Sequence, residues 1–198
     1  MTRLAIIDSG GANIASLRFA VQRLGIESDL TTDPARLKAA SHVLLPGVGA
    51  AAACMGRLQQ AGIVDTIREL RQPLLGICAG MQLLFDSSEE GDVACLGLLP
   101  GRVRRFPDRE RLPVPHMGWN QLEFSRTSPL LNGIHSGDYV YFVHSYAAPV
   151  SAATLATTRY GDEFAAVVQR GNVCGAQFHP ERSAKVGAQL LKNFLQLT

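Results

Sequence analysis

Residues Leu74 to Gln82 read LLGICAGMQ, an apolar run that ends in Gly-Ile-Cys-Ala-Gly and passes at once into residues suited to a helix. The run is short enough for a buried strand, so the segment reads as strand, sharp turn and helix in succession. A G-x-C-x-G turn in that setting matches the nucleophile elbow of hydrolases, with cysteine in the place of serine. The flanking glycines let the turn close where side chains would collide with the neighbouring strand and helix. Cys78 then sits in the first turn of a helix, where unpaired N–H groups and the helix dipole favour thiolate over thiol. Most free cysteines are small buried hydrophobes, and the elbow alone leaves both readings open.

The same order recurs toward the N-terminus. LAIID (Leu4 to Asp8) reads as a strand, and NIASLRFAVQRLG as a helix with Gly25 as its stop. IESDLTT is a second strand, DPARLKAAS a helix opened by Asp-Pro, and HVLLPG a third strand. AAACMGRLQQAG and IVDTIRELRQ are helices, and GMQLLFDSS is read as the helix after LLGIC. This alternation predicts a mostly parallel central sheet flanked by helices. Such sheets carry their chemistry at the carboxyl ends of the strands, where the turns DSGGAN, PGVG and CAG fall. Beyond Leu96 the texture changes to short runs separated by Gly, Pro and Asp: LPVPHMGWNQLEF, DYVYFVHSYAA, ATLATTRY, FAAVVQRG and VCGAQF. These predict additional antiparallel or mixed strands, and KVGAQLLKNFLQL closes the chain as an amphipathic helix. With no linker and no internal repeat, residues 1–198 are read as one α/β domain.

Composition narrows the function classes. A chain of 198 residues, 46% hydrophobic and 18% charged, can bury a substantial core and has no disorder signature. The formal charge of +2 is near balance. The densest basic run, GRVRRFPDRERLP, is interrupted by Asp108 and Glu110 and reads as a solvated charged loop, which argues against nucleic-acid binding. No apolar run reaches the length of a membrane span and no signal-peptide core is present, so a cytoplasmic protein is expected. Cys54, Cys78, Cys95 and Cys174 form neither a CxxC pair nor a metal-ligand spacing, and no metal or cofactor is expected.

A thiolate that attacks a carboxamide needs a group to protonate the leaving amine, and histidine is the usual one. Of the five histidines, His42, His116, His135 and His144 have structural or surface readings at least as good as catalytic ones. His179 alone has a carboxylate set to orient it: in His-Pro-Glu, Glu181 follows two residues on, on the same side of an extended segment. An oxyanion would need backbone donors. The Ala79 N–H is one, and the loop PGVG (Pro46 to Gly49) could bring another, although a strand-to-helix turn also needs glycine for its dihedrals alone.

Together these residues resemble the class I glutamine amidotransferases, whose Cys, His and Glu occupy such an elbow and a downstream H-P-E. PGVG, GICAGMQLLF, PHMGWN, YFVHSY and GAQFHPERS carry the resemblance from the third strand to the last helix. PHMGWN with YFVHSY narrows it to glutaminase subunits that work beside a (βα)8-barrel synthase. The resemblance implies that Cys78, His179 and Glu181 hydrolyse glutamine to glutamate through a thioester. It implies that Val48, Gly49 and Ala79 form the oxyanion hole, and that Gln82 and the backbone of His144, Ser145 and Tyr146 hold the substrate. It implies that Asn13, Trp119, Asn120 and Tyr141 face the barrel, and that the PGVG backbone rearranges when the barrel binds its ligand. Released ammonia needs an acceptor, and the chain has no phosphate loop or dinucleotide fingerprint of its own, so a second chain is expected. The elbow reads Cys-Ala-Gly where this branch more often has Cys-Leu-Gly, and DSGGAN lacks the usual Tyr. Cys-Ala-Gly also occurs in the glutaminase subunit of pyridoxal phosphate synthase, which lacks PHMGWN. A stand-alone cysteine hydrolase of glutamyl amides and a noncatalytic redox protein are the other readings.

Overall fold

A computed structural model describes residues 3–10 and 14–198. Asn13 therefore lies outside the described residues. The first half alternates as the sequence predicts: β1 (Leu4–Ile7), α1 (Ile14–Gln22), β2 (Ser28–Thr31), α2 (Pro34–Ala39), β3 (His42–Gly47), α3 (Ala51–Gln60), α4 (Val64–Glu69) and β4 (Leu74–Cys78). Local chemistry sets several boundaries. Asp33 caps α2 by accepting the Ala35 N–H at 2.8 Å, and Gly25, past the end of α1, takes φ +77°.

The second half starts with α5 (Ala79–Gln82) and β5 (Phe85–Ser88) and continues through β6 (Val93–Ala94), β7 (Leu99–Arg105), β8 (His116–Gln121) and β9 (Glu123–Phe124). It ends with β10 (Tyr139–His144), β11 (Tyr146–Ala147), β12 (Thr154–Tyr160), β13 (Asp162–Arg170), β14 (Val173–Ala176) and α6 (Ala184–Phe194). The main sheet runs β2-β1-β3-β4-β14-β13-β12-β9. Its first five strands pair in parallel and the rest antiparallel, the mixed sheet expected. Both faces are covered. Leu4 and Ile6 of β1 belong to one apolar cluster, and Ala5 and Ile7 to the other, as alternation along a strand requires.

Two expectations are corrected. The helix after the elbow stops at Gln82 instead of running through Ser88. The carbonyls of Leu83, Leu84 and Phe85 accept amides from Leu96, Gly97, Leu98 and Leu99, so the backbone leaves the helix to meet β7, and Phe85 is fully buried. The basic run is also not simply a loop. Its first residues, Gly101 to Arg105, belong to β7, in which Leu99 and Val103 are buried while Arg102, Arg104 and Arg105 are exposed. Arg102 pairs with Asp92 at 2.8 Å and Arg105 with Asp108 at 3.0 Å, which offsets the positive charge locally.

β4 lies between β3 and β14, with Gly47 in register with Cys78 and Ala176 with Ile77. This brings PGVG, the elbow and the approach to His179 to one end of three adjacent strands.

Candidate active site

Cys78 has φ 54° and ψ −115°, outside even the small left-handed well open to L-residues. Such a conformation persists only where the surroundings enforce it, and here glycines do. A Cβ on Gly80 would lie 1.9 Å from the Leu45 carbonyl oxygen, one on Gly76 2.6 Å from the Gly80 oxygen, and one on Gly47 2.4 Å from the Gly80 nitrogen. The elbow thus needs small residues on β3 as well as on its own two flanks. With its side chain at the strand end, Cys78 is only 8% exposed.

β14 delivers His179 to the same end. His179 Nδ1 lies 2.8 Å from Glu181 Oε1, and both side chains are almost wholly buried. The pairing does not come from an extended segment: Pro180–Arg182 form a single 3-10 turn, which brings Glu181 back to the imidazole. The turn is held from three sides. The His179 N–H donates to the Tyr141 carbonyl at 3.0 Å. Ser183 Oγ donates to the His179 carbonyl at 2.7 Å and accepts the Tyr141 N–H at 2.9 Å. α6 presses so close that a Cβ on Gly187 would lie 1.9 Å from the Pro180 oxygen.

Burial by itself lowers the pKa of the His179 imidazole. Hydrogen bonds donated to Cys78 and Glu181, with the negative charge each can carry, outweigh burial and raise it to about 10. With Nδ1 on Glu181, Nε2 is the nitrogen left for the sulfur. Residues 78 and 179, about half the chain apart, therefore meet within hydrogen-bonding reach.

The sulfur opens on a cleft of about 300 Å³ whose lining includes Gly49, Ala79, Gln82, Glu90 and Ser145. Gly49 takes φ +87° and Ala79 opens α5, so both backbones border the space beside Sγ. Val48 does not line the cleft. Its carbonyl accepts from Cys54 Sγ and Arg57 Nη2, each at 3.4 Å, and is tied to α3. Gln82 braces the wall: Nε2 donates to the Tyr146 carbonyl at 2.7 Å and to Gln177 Oε1 at 2.9 Å. Gln177 Nε2 is 3.9 Å from Cys78 Sγ.

Two residues of this site escaped the sequence reading. Gln177, wholly buried, stands two residues before His179 and could have been found from the strand's alternation. Glu90 carried no local signal. Its carboxylate lines the cleft and Oε2 accepts the Ala51 N–H at 2.8 Å, at the start of α3, where a negative charge is favoured.

The histidines left with structural readings keep them in part. His42 bonds the Leu197 carbonyl at 3.0 Å, and His135 is exposed. His116 and His144 are buried against one another. All four cysteines are free and buried.

Of the residues assigned to a partner, Trp119 is 52% exposed, with Met117 and Tyr139 beside it on the β8–β10 ribbon. Trp119 lies opposite Tyr141 with ring centroids 6.0 Å apart, and the Arg182 guanidinium sits 4.5 Å over the Tyr141 ring. Asn120 points to the other side of the ribbon, donating through Nδ2 to the Arg159 carbonyl at 3.0 Å. A larger cavity of about 480 Å³, among Arg3, Glu27, Asp29 and Arg36, lies at the amino ends of β1 and β2, away from the strand ends where such sheets bind ligands.

Residues 5–197 match the protein family described as glutamine amidotransferase class-I. Over 197 residues the chain is 55% identical to the imidazole glycerol phosphate synthase subunit HisH of Xylella fastidiosa, an alignment covering 100% of this chain and 98% of that protein. Over 198 residues it is 56% identical to the same subunit of Xanthomonas axonopodis pv. citri, covering 100% and 99%. Among solved structures, one titled as a glutamine amidotransferase superposes with a TM-score of 0.75 at 23% identity, covering 98% of this chain and 97% of that one. PurLQS from Thermotoga maritima gives 0.69 at 20% identity, covering 98% of each. At those identities the structural likeness speaks for the fold alone.

Proposed function

This chain belongs to the class-I glutamine amidotransferases, and we propose that it is the glutaminase subunit of an imidazole glycerol phosphate synthase in histidine biosynthesis. One observation carries the chemistry: a cysteine held in a strained elbow at the mouth of a cleft, hydrogen-bonded to a buried histidine that a buried glutamate orients.

Cys78 Sγ attacks the side-chain amide carbon of glutamine, forming a C–S bond and an oxyanion. The Ala79 N–H and a donor from the loop at Val48 and Gly49 stabilise that oxyanion. Because the Val48 carbonyl is tied to Cys54 and Arg57, presenting the loop's N–H groups requires this segment to be free to adjust. The C–N bond breaks as His179, its Nδ1–H kept on Glu181, gives the Nε2 proton to the leaving nitrogen, and ammonia departs. Water then attacks the thioester, His179 takes its proton, and glutamate leaves with the thiolate regenerated. Gln82 and the backbone of His144, Ser145 and Tyr146 shape the cleft for the substrate. Glu90 supplies a carboxylate for the α-ammonium group.

Ammonia released to water is protonated and diluted, so the product has value only beside a synthase. We assign that partner as a (βα)8-barrel subunit, docked against the ribbon face that carries Trp119 and Tyr141. The complex works in the cytoplasm; among the described residues no helix is long and apolar enough to cross a membrane. Cys78→Ser is the deciding variant. It is expected to fold and bind the synthase while releasing no glutamate above background, and wild-type turnover in that variant would end the assignment.

A further inference from the structure

Behind the cleft wall lies a run of polar side chains that glutamine chemistry does not itself require. His144 Nδ1 is 2.7 Å from the Tyr146 carbonyl, an acceptor, so Nδ1 must carry a proton. His144 Nε2 is 3.1 Å from His116 Nδ1. With His144 protonated on Nδ1 only, its Nε2 accepts and His116 Nδ1 donates. His116 Nε2 is then an acceptor as well, and Asn120 Nδ2 lies 3.3 Å from it. The Asn120 amide is itself oriented twice over, since Nδ2 donates to the Arg159 carbonyl at 3.0 Å and Oδ1 accepts the Gln121 N–H at 2.8 Å. Each donor and acceptor in the chain thus has one consistent assignment.

We propose that His116 and His144 are positioning residues for glutamine hydrolysis: two neutral imidazoles, both protonated on Nδ1, relaying hydrogen-bond direction from Asn120 to the Tyr146 carbonyl and so fixing the wall of the cleft. That carbonyl receives His144 from one side and Gln82 from the other, both at 2.7 Å. Gln82 in turn orients Gln177, whose amide faces Cys78 Sγ. The relay therefore joins the ribbon that carries Trp119 to the surroundings of the nucleophile.

The packing suits such a role. His116 is sandwiched between Phe142 and Tyr160, with ring centroids at 4.9 and 4.1 Å and interplanar angles of 26° and 25°, which prevents the ring from turning over and exchanging its nitrogens. Phe106 and Phe164 close the box around both histidines. Burial among these rings lowers the His116 pKa to about 4 and that of His144 to about 3. A proton added to His144 Nε2 would face the His116 Nδ1–H, two donors with no acceptor between them. An apolar side chain would fill the box as well; a relay needs the nitrogens.

The proposal rests on the glutaminase reading, and the test separates the two. In wild-type protein labelled with ¹⁵N-histidine, the imidazole correlations of His116 and His144 at neutral pH are expected to show both rings protonated on Nδ1 alone. Glutamate release is then measured with the synthase subunit present for His116→Leu and His116→Asn. Leu fills the apolar box but leaves the buried His144 Nε2 without its donor, so both variants are assayed well below their urea midpoints; Leu is expected to lower kcat/KM for glutamine about tenfold, the equivalent of ~1.4 kcal/mol. Asn brings an amide donor close to where Nδ1 lies and is expected to retain several-fold more activity than Leu. An Nε2-protonated ring in active wild-type protein, or a Leu variant as active as the Asn variant, overturns the relay alone. Wild-type protein that releases no glutamate overturns the glutaminase reading along with it.

Discussion

The strain at Cys78 makes a sign prediction about stability that contacts alone would reverse. Consider replacing Cys78 by Ala and, separately, by Gly. Both remove the sulfur, so their difference isolates one Cβ at φ 54° and ψ −115°. At an unstrained position Gly is the worse residue by roughly 0.5–1 kcal/mol, because the unfolded chain gains freedom. Loss of one buried carbon adds about 0.8 kcal/mol to that deficit. Against both stands relief of backbone strain, of order 1–3 kcal/mol for such residues. This pair of dihedrals lies beyond the left-handed well, so the relief belongs near the top of that range, about 3 kcal/mol. The Cys78→Gly protein should therefore be the more stable of the two by roughly 1.5 kcal/mol, the balance of these terms. For a chain of this size that is a melting-point difference of about 3–6 °C, within reach of calorimetry and urea titration run side by side. Gly56, in α3, has no atom within 4 Å of where a Cβ would stand, and Gly56→Ala supplies the control in which Ala is favoured by about 0.5–1 kcal/mol. If the Cys78→Ala protein melts at or above the Cys78→Gly protein, the elbow is not strained and the argument from glycine packing fails.

The histidines set the dependence of stability on pH. The folded-state pKa of His179 is raised from 6.5 to about 10, so its contribution is complete below about 6.5 and disappears as pH rises toward 10. Glu181→Gln removes one of the causes and is expected to flatten that alkaline decline in the urea midpoint, while also lowering kcat. His116 and His144 act at the other end. Their pKa values fall from 6.5 to about 4 and about 3, so the unfolded chain takes up protons first and stability declines as pH drops below about 6.5; His116→Leu should lessen that acid slope. Gly187→Ala forces a Cβ to 1.9 Å from the Pro180 oxygen and is expected to cost at least about 1–3 kcal/mol and to reduce glutamine turnover, since it displaces the turn that aims His179. Trp119→Ala is expected to weaken synthase association by about 2 kcal/mol, read by calorimetric titration, with the melting temperature of the free chain unchanged.

Much of this protein could be read from local patterns. Strand and helix periods along residues 4–78 give the alternation that forces a parallel sheet, because an apolar strand buried on both faces and an amphipathic helix have few other ways to cover each other. The glycines around Cys78 likewise announce an elbow, since only a residue without a Cβ fits where Gly80 meets the Leu45 carbonyl. Other features depend on partners remote in sequence. The chain leaves its helix at Gln82 because the carbonyls of residues 83–85 find amides at 96–99. A basic run becomes β7 because Leu99 and Val103 have a core to enter. Glu90 reaches the cleft from a turn with no motif at all.

The deepest dependence on tertiary structure is at the centre of the site. The sequence offers Cys78 as a candidate nucleophile and His179 as a candidate base, on the chemistry of their neighbours. Their meeting is decided by strand order: β14, last in the chain, inserts next to β4 and in register with it. Local propensity specifies that each segment is a strand, but which sheet edge it fills depends on the shape and apolar faces of the whole folded molecule, a long-range term that no window of sequence contains.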